Sequence, residues 1–258
     1  MGAVVGRVAY GAFYERHQIR LEERSLEVAG LPAALDGLRV GLITDIHVSS
    51  SVSDEDVLEA VRLLSEARPD FVALGGDYVT NLDTSRAPKA AEMLAPLAAA
   101  RDGAFAVLGN HDDDRVMPAA LADRGFAVLR DQWTRVEIRG ERVDIAGLRY
   151  WTRRPADVER ALSGTGPTTF MLAHDPRRFD EGARLDVRLV LAGHTHGGQV
   201  VLPWVGAFAA RRFPVVAGPA RKENTTLFVS RGVGTVVAPI RINCPPEVSV
   251  LVLRGSQA

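Results

Sequence analysis

The chain has 258 residues, of which 47% are hydrophobic and 24% are charged. This composition is close to the average for soluble globular proteins and excludes disordered and collagen-like classes. A formal net charge of −1 excludes a basic field over the whole protein, so nucleic acid is not expected as a partner. The single cysteine, Cys244, cannot form an internal disulfide, and we expect a buried, inert thiol.

The chain opens with a short apolar segment, residues 1–13, which contains Arg7. It is too short to span a bilayer, which requires about 20 apolar residues, and it lacks a clear signal-peptide cleavage pattern. It is either an amphipathic segment on a membrane surface or an ordinary terminal helix or frayed end. We therefore expect an N-terminal segment over residues 1–37 and one domain over residues 38–258. If the first residues lie on a membrane surface, the segment contains a vestigial membrane-proximal helix. The expected location is cytoplasmic or peripheral at the inner membrane, because no export signal is evident.

From residue 38 onward, short β-rich runs alternate with amphipathic runs in a βαβαβα order. The patterns predict strands at residues 39–43, 71–74 and 104–108, and helices at residues 57–67, 88–100 and 118–124. Ser53 or Asp54 is suited to cap the first helix, and Pro69 stops its pattern. Such alternation implies a parallel sheet covered by helices, with functional residues beyond the carboxyl ends of the strands.

The second half of the sequence is richer in strands. A hairpin is predicted for residues 133–138 and 142–146, joined across Arg139-Gly140-Glu141. Residues 156–162 suit a helix, and further strands are predicted at residues 168–173, 187–192, 226–230 and 248–253. No internal repeat and no linker long enough to separate two domains are present.

Each cluster of Asp, Asn and His follows an apolar run that reads as a strand. The clusters are Asp45 and His47, Asp77, Asn110 with His111 and Asp112, His174, and His194 with His196. Because strand ends converge on one edge of such a sheet, these side chains are expected to meet. Imidazole, carboxylate and amide groups without sulfur bind manganese, iron, zinc, cobalt or nickel. Two such ions about 3.5–4 Å apart can clamp the attacking and leaving oxygens of a phosphoryl group.

These residues resemble a known family. Five blocks match, in order, the motifs of the calcineurin-like metallophosphoesterases: Asp45-Ile46-His47, Gly75-Gly76-Asp77, Gly109-Asn110-His111-Asp112, His174, and Gly193-His194-Thr195-His196. The resemblance implies an α/β fold, a four-layer α/β/β/α sandwich of two mixed β-sheets flanked by helices. It also implies two divalent metal ions, taken from manganese, iron, zinc, cobalt or nickel.

The resemblance further implies a role for each matching residue. Asp45, His47 and His196 would hold one metal, Asn110, His174 and His194 the other, and Asp77 would bridge them. Metal-bound hydroxide would be the nucleophile, and His111 would protonate the leaving oxygen as general acid. Asp112 would orient the His111 ring, or alternatively interact with the N-terminus of the following helix.

Further blocks are similar to a bacterial branch of phosphodiesterases, the proteins like YkuE. They lie at residues 76–80, 193–199, 230–234 and 241–246. Relatives of this branch include pyrophosphatases that act on UDP-diacylglucosamine. The resemblance therefore implies hydrolysis of phosphodiester or pyrophosphate bonds and favours a lipid-linked phosphoester substrate. Two alternatives remain open: a phosphomonoesterase of the same fold, and a non-catalytic scaffold that retains it.

Candidate substrate contacts are less specific. Residues 202–213 combine apolar and aromatic side chains with two arginines. This composition suits peripheral membrane contact, with acyl chains and an anionic head group as partners. It equally suits a buried segment whose arginines are solvated. Arg231 and Arg241 are candidates for binding phosphate, although surface ion pairs are an equal interpretation. Tyr78 either lines the site or is a half-buried aromatic residue after a strand.

Overall fold

The apolar runs of the sequence form the strands of two sheets, and the amphipathic runs form helices around them. The computed structural model describes residues 2–256, with side chains described from residue 5 onward. Its helices are α1 Gly2–Phe13, α2 Asp54–Glu66, α3 Ala87–Leu94, α4 Val116–Ala122, α5 Pro155–Ala161 and α6 Phe179–Arg184. Its strands are β1 Arg20–Ala29, β2 Arg39–Ile43, β3 Phe71–Leu74, β4 Ala104–Ala106, β5 Ala127–Val128, β6 Gln132–Ile138, β7 Glu141–Leu148, β8 Thr169–Ala173, β9 Leu189–Ala192, β10 Gly218–Lys222, β11 Thr225–Val229 and β12 Glu247–Ser256.

Both sheets are mixed within residues 2–256. The first has the order β1-β12-β2-β3-β4-β5, and the second has the order β10-β11-β9-β8-β7-β6. Strands β2 to β5 run parallel, but β12 enters between β1 and β2 and pairs antiparallel with β2. In the second sheet, antiparallel pairs at β6–β7 and β10–β11 flank a parallel centre. The parallel arrangement expected from the βαβαβα order is confirmed for β2, β3 and β4, and the mixed sheets implied by the resemblance are confirmed as well.

Side chains alternate across each strand and build three apolar layers. In β3, Phe71 and Ala73 pack between the two sheets, while Val72 and Leu74 pack against the helices of the first sheet. Phe170 and Phe228 of the second sheet meet the same central layer. Helices α2, α3 and α4 cover the first sheet, and α5 and α6 cover the second. The result is the four-layer α/β/β/α sandwich.

Several elements depart from the sequence prediction. Strand β1 was not predicted, because its Arg20–Ala29 sequence is rich in charge and most of its side chains are exposed. It is an edge strand that pairs with β12, with Arg20 opposite Glu247. Helix α3 ends at Leu94 and continues as a 3₁₀ turn over Ala95–Ala99, which contains Pro96. Proline cannot donate to the helical ladder, which accounts for the change.

The N-terminal segment lies against the domain. Residue Gly11 of α1 approaches the backbone so closely that a Cβ there would lie 2.5 Å from the carbonyl oxygen of Arg241. None of the described helices combines the length and the apolar character needed to cross a bilayer. The division of the chain at residue 38 stays a prediction, and strand β1 joins the earlier segment to the first sheet.

Candidate metal centre

The ends of strands from both sheets bring the predicted ligands together. Two groups of three side chains each place their donor atoms within 4.8 Å of one another. One group follows β2 and β9 and consists of Asp45, His47 and His196; the other follows β3, β8 and β9 and consists of Asp77, His174 and His194. Five of these six residues are buried and His194 is partly buried. The convergence expected from strand order is therefore present in the fold.

Asp77 belongs to the second group and also faces the first. Its Oδ2 is 3.2 Å from His174 Nε2 and 3.6 Å from His47 Nε2, so one carboxylate oxygen faces both groups. Its Oδ1 accepts the backbone N–H of His111 at 2.8 Å, which fixes the orientation of the carboxylate. The Oδ2 atom is therefore close to donor atoms of both groups.

Asn110 supplies a further observation. Its side-chain oxygen is buried and has no hydrogen-bond partner among the described residues. An unsatisfied buried acceptor costs about 1–3 kcal/mol, and a cation would remove that cost. Together with the two three-residue groups, this oxygen makes a donor set of carboxylate, imidazole and amide groups that fits a pair of divalent ions.

The histidines face one another in pairs. His47 Nε2 lies 3.2 Å from His196 Nε2, and His174 Nε2 lies 3.1 Å from His194 Nδ1. Burial lowers the pKa of His47 to about 4, that of His194 to about 3 and that of His196 well below its ordinary value. These rings are therefore neutral at pH 7, as metal ligands must be.

His174 differs from the other three. Burial lowers its pKa, but the carboxylates of Asp77 and Asp45 outweigh burial and raise it to about 10. Its Nδ1–H donates to the carbonyl of Gly75 at 2.8 Å, which leaves Nε2 to face Asp77. A proton and a cation would compete for that nitrogen, so metal binding there would release a proton.

The backbone around these ligands is strained. Five of them have a positive φ: 53° at Asp45, 47° at His47, 57° at Asp77, 70° at His194 and 51° at His196. Such conformations cost roughly 1–3 kcal/mol each in residues other than glycine and cluster at functional sites. The sequence carries no signal of this strain.

Two glycines make room for the ligand carboxylates. A Cβ at Gly109 would lie 2.0 Å from Asp77 Oδ1, and a Cβ at Gly193 would lie 2.3 Å from Asp45 Oδ2. Neither glycine has a positive φ, so the need is for space and not for backbone conformation. The backbone beyond Gly193 also holds this carboxylate, because the N–H of His194 donates to both Asp45 oxygens at 3.1 Å.

His111 lies beside the first group, with its ring edge-on to His47 at 5.0 Å between centroids. It is partly exposed, and its Nδ1 accepts the backbone N–H of Asn81 at 3.0 Å. A neutral ring in this contact carries its proton on Nε2. Asn81 was not predicted from the sequence, because the contact is made by its backbone.

The structure does not place Asp112 as an orienter of the His111 ring. Its buried carboxylate instead accepts backbone N–H groups of Asp77 at 2.7 Å, Tyr78 at 2.8 Å and Gly109 at 2.9 Å. Burial, reinforced by the charge of Asp77, raises the pKa of this carboxyl to about 7. Asp112 therefore joins the loops after β3 and β4 that carry two of the ligands.

The three side chains predicted to contact the substrate, Tyr78, Arg231 and Arg241, make other contacts in the structure. Tyr78 is 1% exposed, and its hydroxyl donates to the carbonyl of Val107 at 2.7 Å. Arg241 is fully buried and donates to carbonyl oxygens of the loop at residues 231–234 and of Cys244. Arg231 pairs with Glu22 and Glu247. Neither Tyr78 nor Arg241 is exposed to a substrate, because their polar groups satisfy buried backbone.

A cleft of about 740 Å³ opens at His111. Its other lining residues are Ser49, Ser50, Ser51, Thr80, Asn81, Asp83, Arg86, Thr235, Val236, Val237, Ala238 and Pro239. Apart from His111, none of the residues that line this cleft was predicted from the sequence. The serine run at residues 49–51, two residues beyond His47, was the signal that could have indicated a polar wall.

Comparisons with known proteins agree with this geometry. Residues 38–198 match the family model described as calcineurin-like phosphoesterase. The uncharacterized metallophosphoesterase YkuE of Bacillus subtilis is 28% identical and covers 97% of this chain and 91% of its own length. Phosphodiesterase YaeI of Escherichia coli is 30% identical over 83% of this chain and 82% of its own length. These relatives confirm the resemblance to the bacterial branch.

Two further matches extend the comparison. A Danio rerio transmembrane protein with a metallophosphoesterase domain is 32% identical over 95% of this chain, which spans 60% of that protein. NAD nucleotidase NadN of Haemophilus influenzae has a TM-score of 0.54 at 14% identity, with coverage of 76% of this chain and 45% of its own. The likeness to NadN shows a shared fold alone.

Family members use a dinuclear divalent metal centre and hydrolyse phosphoric esters. The chain belongs to the calcineurin-like phosphoesterases.

Proposed function

We propose that this enzyme hydrolyses phosphodiester or pyrophosphate bonds. Asp45, His47 and His196 would hold one metal, Asn110, His174 and His194 would hold the other, and Asp77 would serve both. The observation that carries the proposal is Asp77 Oδ2, which faces both histidine groups at 3.2 and 3.6 Å. Two bound divalent ions supply charge neutralisation at the phosphoryl group and a lowered pKa of water.

His111 is proposed as the group that acts on the leaving oxygen, as general acid. The Asn81 N–H on Nδ1 favours the tautomer with its proton on Nε2. That proton is available to the leaving oxygen of an ester in the adjoining cleft. Because a poor leaving group needs a proton most, removal of the ring is expected to slow alkyl esters more than p-nitrophenyl esters.

Diesters are favoured over monoesters by the charge of the cleft. A monoester carries one more negative charge and requires a further cation. Among the described residues that line the cleft, the cation is Arg86, and its Nε pairs with Asp83 at 3.0 Å. The name of the relative YaeI, a phosphodiesterase, agrees with this preference.

A lipid-linked substrate and peripheral membrane contact are supported by an exposed apolar face. Trp204 is fully exposed, Phe208 is 65% exposed, and Phe13 of α1 is 80% exposed. The two segments are neighbours, because Val201 N–H donates to Ile242 and the adjacent Arg241 N–H donates to Gly11 of α1. Residues 2–13 and 187–222 contain no Asp or Glu, which suits an anionic lipid surface.

The decisive experiment reloads metal-stripped protein separately with manganese, zinc, iron and nickel. Hydrolysis of bis-aryl, mono-aryl and alkyl-aryl phosphates is then measured beside His111→Ala. Diester hydrolysis that returns with metal, and that falls by about 10²-fold or more in His111→Ala, is expected. Faster turnover of the mono-aryl ester would move the assignment to phosphomonoesterase, and metal binding without turnover of any ester would refute hydrolysis.

Membrane contact has its own test. Binding to vesicles of phosphatidylglycerol is measured by flotation for the protein and for Trp204→Ser/Phe208→Ser. The matched control Leu58→Ser/Val116→Ser removes exposed apolar side chains on α2 and α4. Binding that is lost only in the first variant supports the contact, and equal binding by all three proteins contradicts it.

A further inference from the structure

An aromatic and arginine cluster lies against the second ligand group. We define it as Tyr150, Trp151, Arg153, Arg212 and Phe213. The Tyr150 ring is 5.3 Å from the His194 ring and 5.9 Å from the His174 ring, and Phe213 meets His194 edge-on at 5.1 Å. Tyr150 follows β7, whose carboxyl end lies at the same edge as that of β8. The cluster is therefore part of the wall of the metal centre.

The cluster carries uncompensated positive charge. The Arg153 guanidinium lies 5.2 Å from the Tyr150 ring and 5.4 Å from the Trp151 ring, and that of Arg212 lies 5.1 Å from Phe213. Neither guanidinium forms an ion pair or a side-chain hydrogen bond within the part of the chain that the structure describes. The neighbouring Arg177, by contrast, is held by Asp175 through Nε at 2.9 Å.

This arrangement is suited to bind an anion beside a planar group. A guanidinium stacked on an aromatic face keeps its N–H edge available, and that edge matches a phosphate in bidentate geometry. Both arginines are exposed, and Trp151 is 59% exposed, so an incoming group can reach them. The exposed Trp151 ring offers a face on which a planar group can stack.

We infer that this cluster binds a second phosphate on the substrate, carried by the alcohol that stays esterified to the attacked phosphorus. The inference rests on the proposed function, because it uses the direction of the reaction. His111 and the polar cleft receive the leaving group, and the cleft's cation Arg86 is paired with Asp83. The retained alcohol then extends towards His194 and the cluster. The substrate class is a phosphodiester with a further phosphate on its retained alcohol.

The test uses two esters with the same leaving group. They are the p-nitrophenyl esters of thymidine 5′-monophosphate and of thymidine 3′,5′-bisphosphate, which differ by one phosphate on the retained nucleoside. In Arg153→Gln/Arg212→Gln, KM for the bisphosphate ester is expected to rise at least about tenfold, with kcat within about twofold and with no change for the monophosphate ester. An equal loss on both esters, or no loss on either, would overturn the inference.

A matched control removes two arginines from the opposite edge. Arg142 lies at the start of β7, and Arg221 lies in β10 opposite Thr226 near the start of β11. The variant Arg142→Gln/Arg221→Gln is expected to leave both KM values unchanged. A rise like that of the cluster variant would show a general charge effect and overturn the inference.

A binding measurement separates this inference from the proposed function. Thymidine 3′,5′-bisphosphate and thymidine 5′-monophosphate are titrated while tryptophan fluorescence is followed, with Trp151→Phe to assign the signal. Tighter binding of the bisphosphate that is lost in Arg153→Gln/Arg212→Gln supports the cluster even if neither ester is hydrolysed. Equal affinity for the two nucleotides overturns the inference even in an active phosphodiesterase.

Discussion

Replacement of Gly193 by alanine tests whether the fold leaves space at this position for a ligand carboxylate. The added Cβ would lie 2.3 Å from Asp45 Oδ2 and 2.6 Å from Thr44 Oγ1, and both of these are side-chain atoms. Gly193 does not have a positive φ, so alanine brings no backbone strain. The crowding must be relieved by movement of the Asp45 carboxylate and of Thr44.

The magnitude follows from the distances. Ordinary contact begins near 3.4 Å, so the carboxylate oxygen must move by roughly 1 Å. Ligand distances in metal sites hold to within about 0.2 Å, and a displacement of about 1 Å in a catalytic site costs on the order of 10²-fold in rate. Overpacking costs about 1–3 kcal/mol of stability, less than the total for a domain of this size. We expect a folded protein with defective metal binding.

The assay measures metal content after dialysis, kcat/KM on an aryl diester, and thermal unfolding. Gly6→Ala is the matched control, because a Cβ at Gly6 in α1 would meet no atom within 4 Å. Gly193→Ala is expected to lose at least one of two metals and about 10²-fold in kcat/KM, while Gly6→Ala keeps both values. Full metal content with activity within threefold of the parent would refute the steric argument.

Three further changes test the supports of the fold. Asp112→Asn replaces an acceptor of several backbone N–H groups by an amide, and we expect about 2–4 kcal/mol less stability in urea unfolding and weaker metal retention. Arg241→Met leaves buried carbonyls without a donor and should cost about 3 kcal/mol or more, measured in the same way; a loss under about 1 kcal/mol would contradict the role. Burial raises the pKa of Asp144, but hydrogen bonds from Arg135 and Gly166 outweigh it and lower the pKa. The ionised Asp144 carboxylate therefore stabilises the folded protein at pH 7, and this stabilisation is lost in acid. The difference in Tm between the parent and Asp144→Ala should shrink from pH 7 to pH 3. A constant difference would refute this.

The sequence was sufficient to predict those strands whose side chains are buried on both faces of the sheet. Strands β2, β3 and β9 are buried on both faces and read as short apolar runs, and their ends locate the aspartate and histidine clusters. The hairpin of β6 and β7 was predicted from its glycine turn and is confirmed. These features are local, because a few adjacent residues determine them.

The remaining features depend on distant parts of the chain. Strand β1 has no apolar run, and its pairing with β12 joins residues far apart in sequence. Tyr78 and Arg241 were assigned to the substrate because a tyrosine or arginine near a motif suggests contact. Whether such a side chain faces solvent or buried carbonyls depends on loops elsewhere in the chain. Asp112 is a similar case, since its partners belong mainly to the loop after β3.

The position of β12 has a consequence for synthesis on the ribosome. This strand lies between β1 and β2, yet it leaves the exit tunnel after the eleven strands that precede it in the chain. Until then, β2 presents an unpaired hydrogen-bonding edge beside apolar side chains, and β1 has no partner. Such edges promote aggregation, so nascent chains of this protein should depend on a chaperone until the last strand emerges.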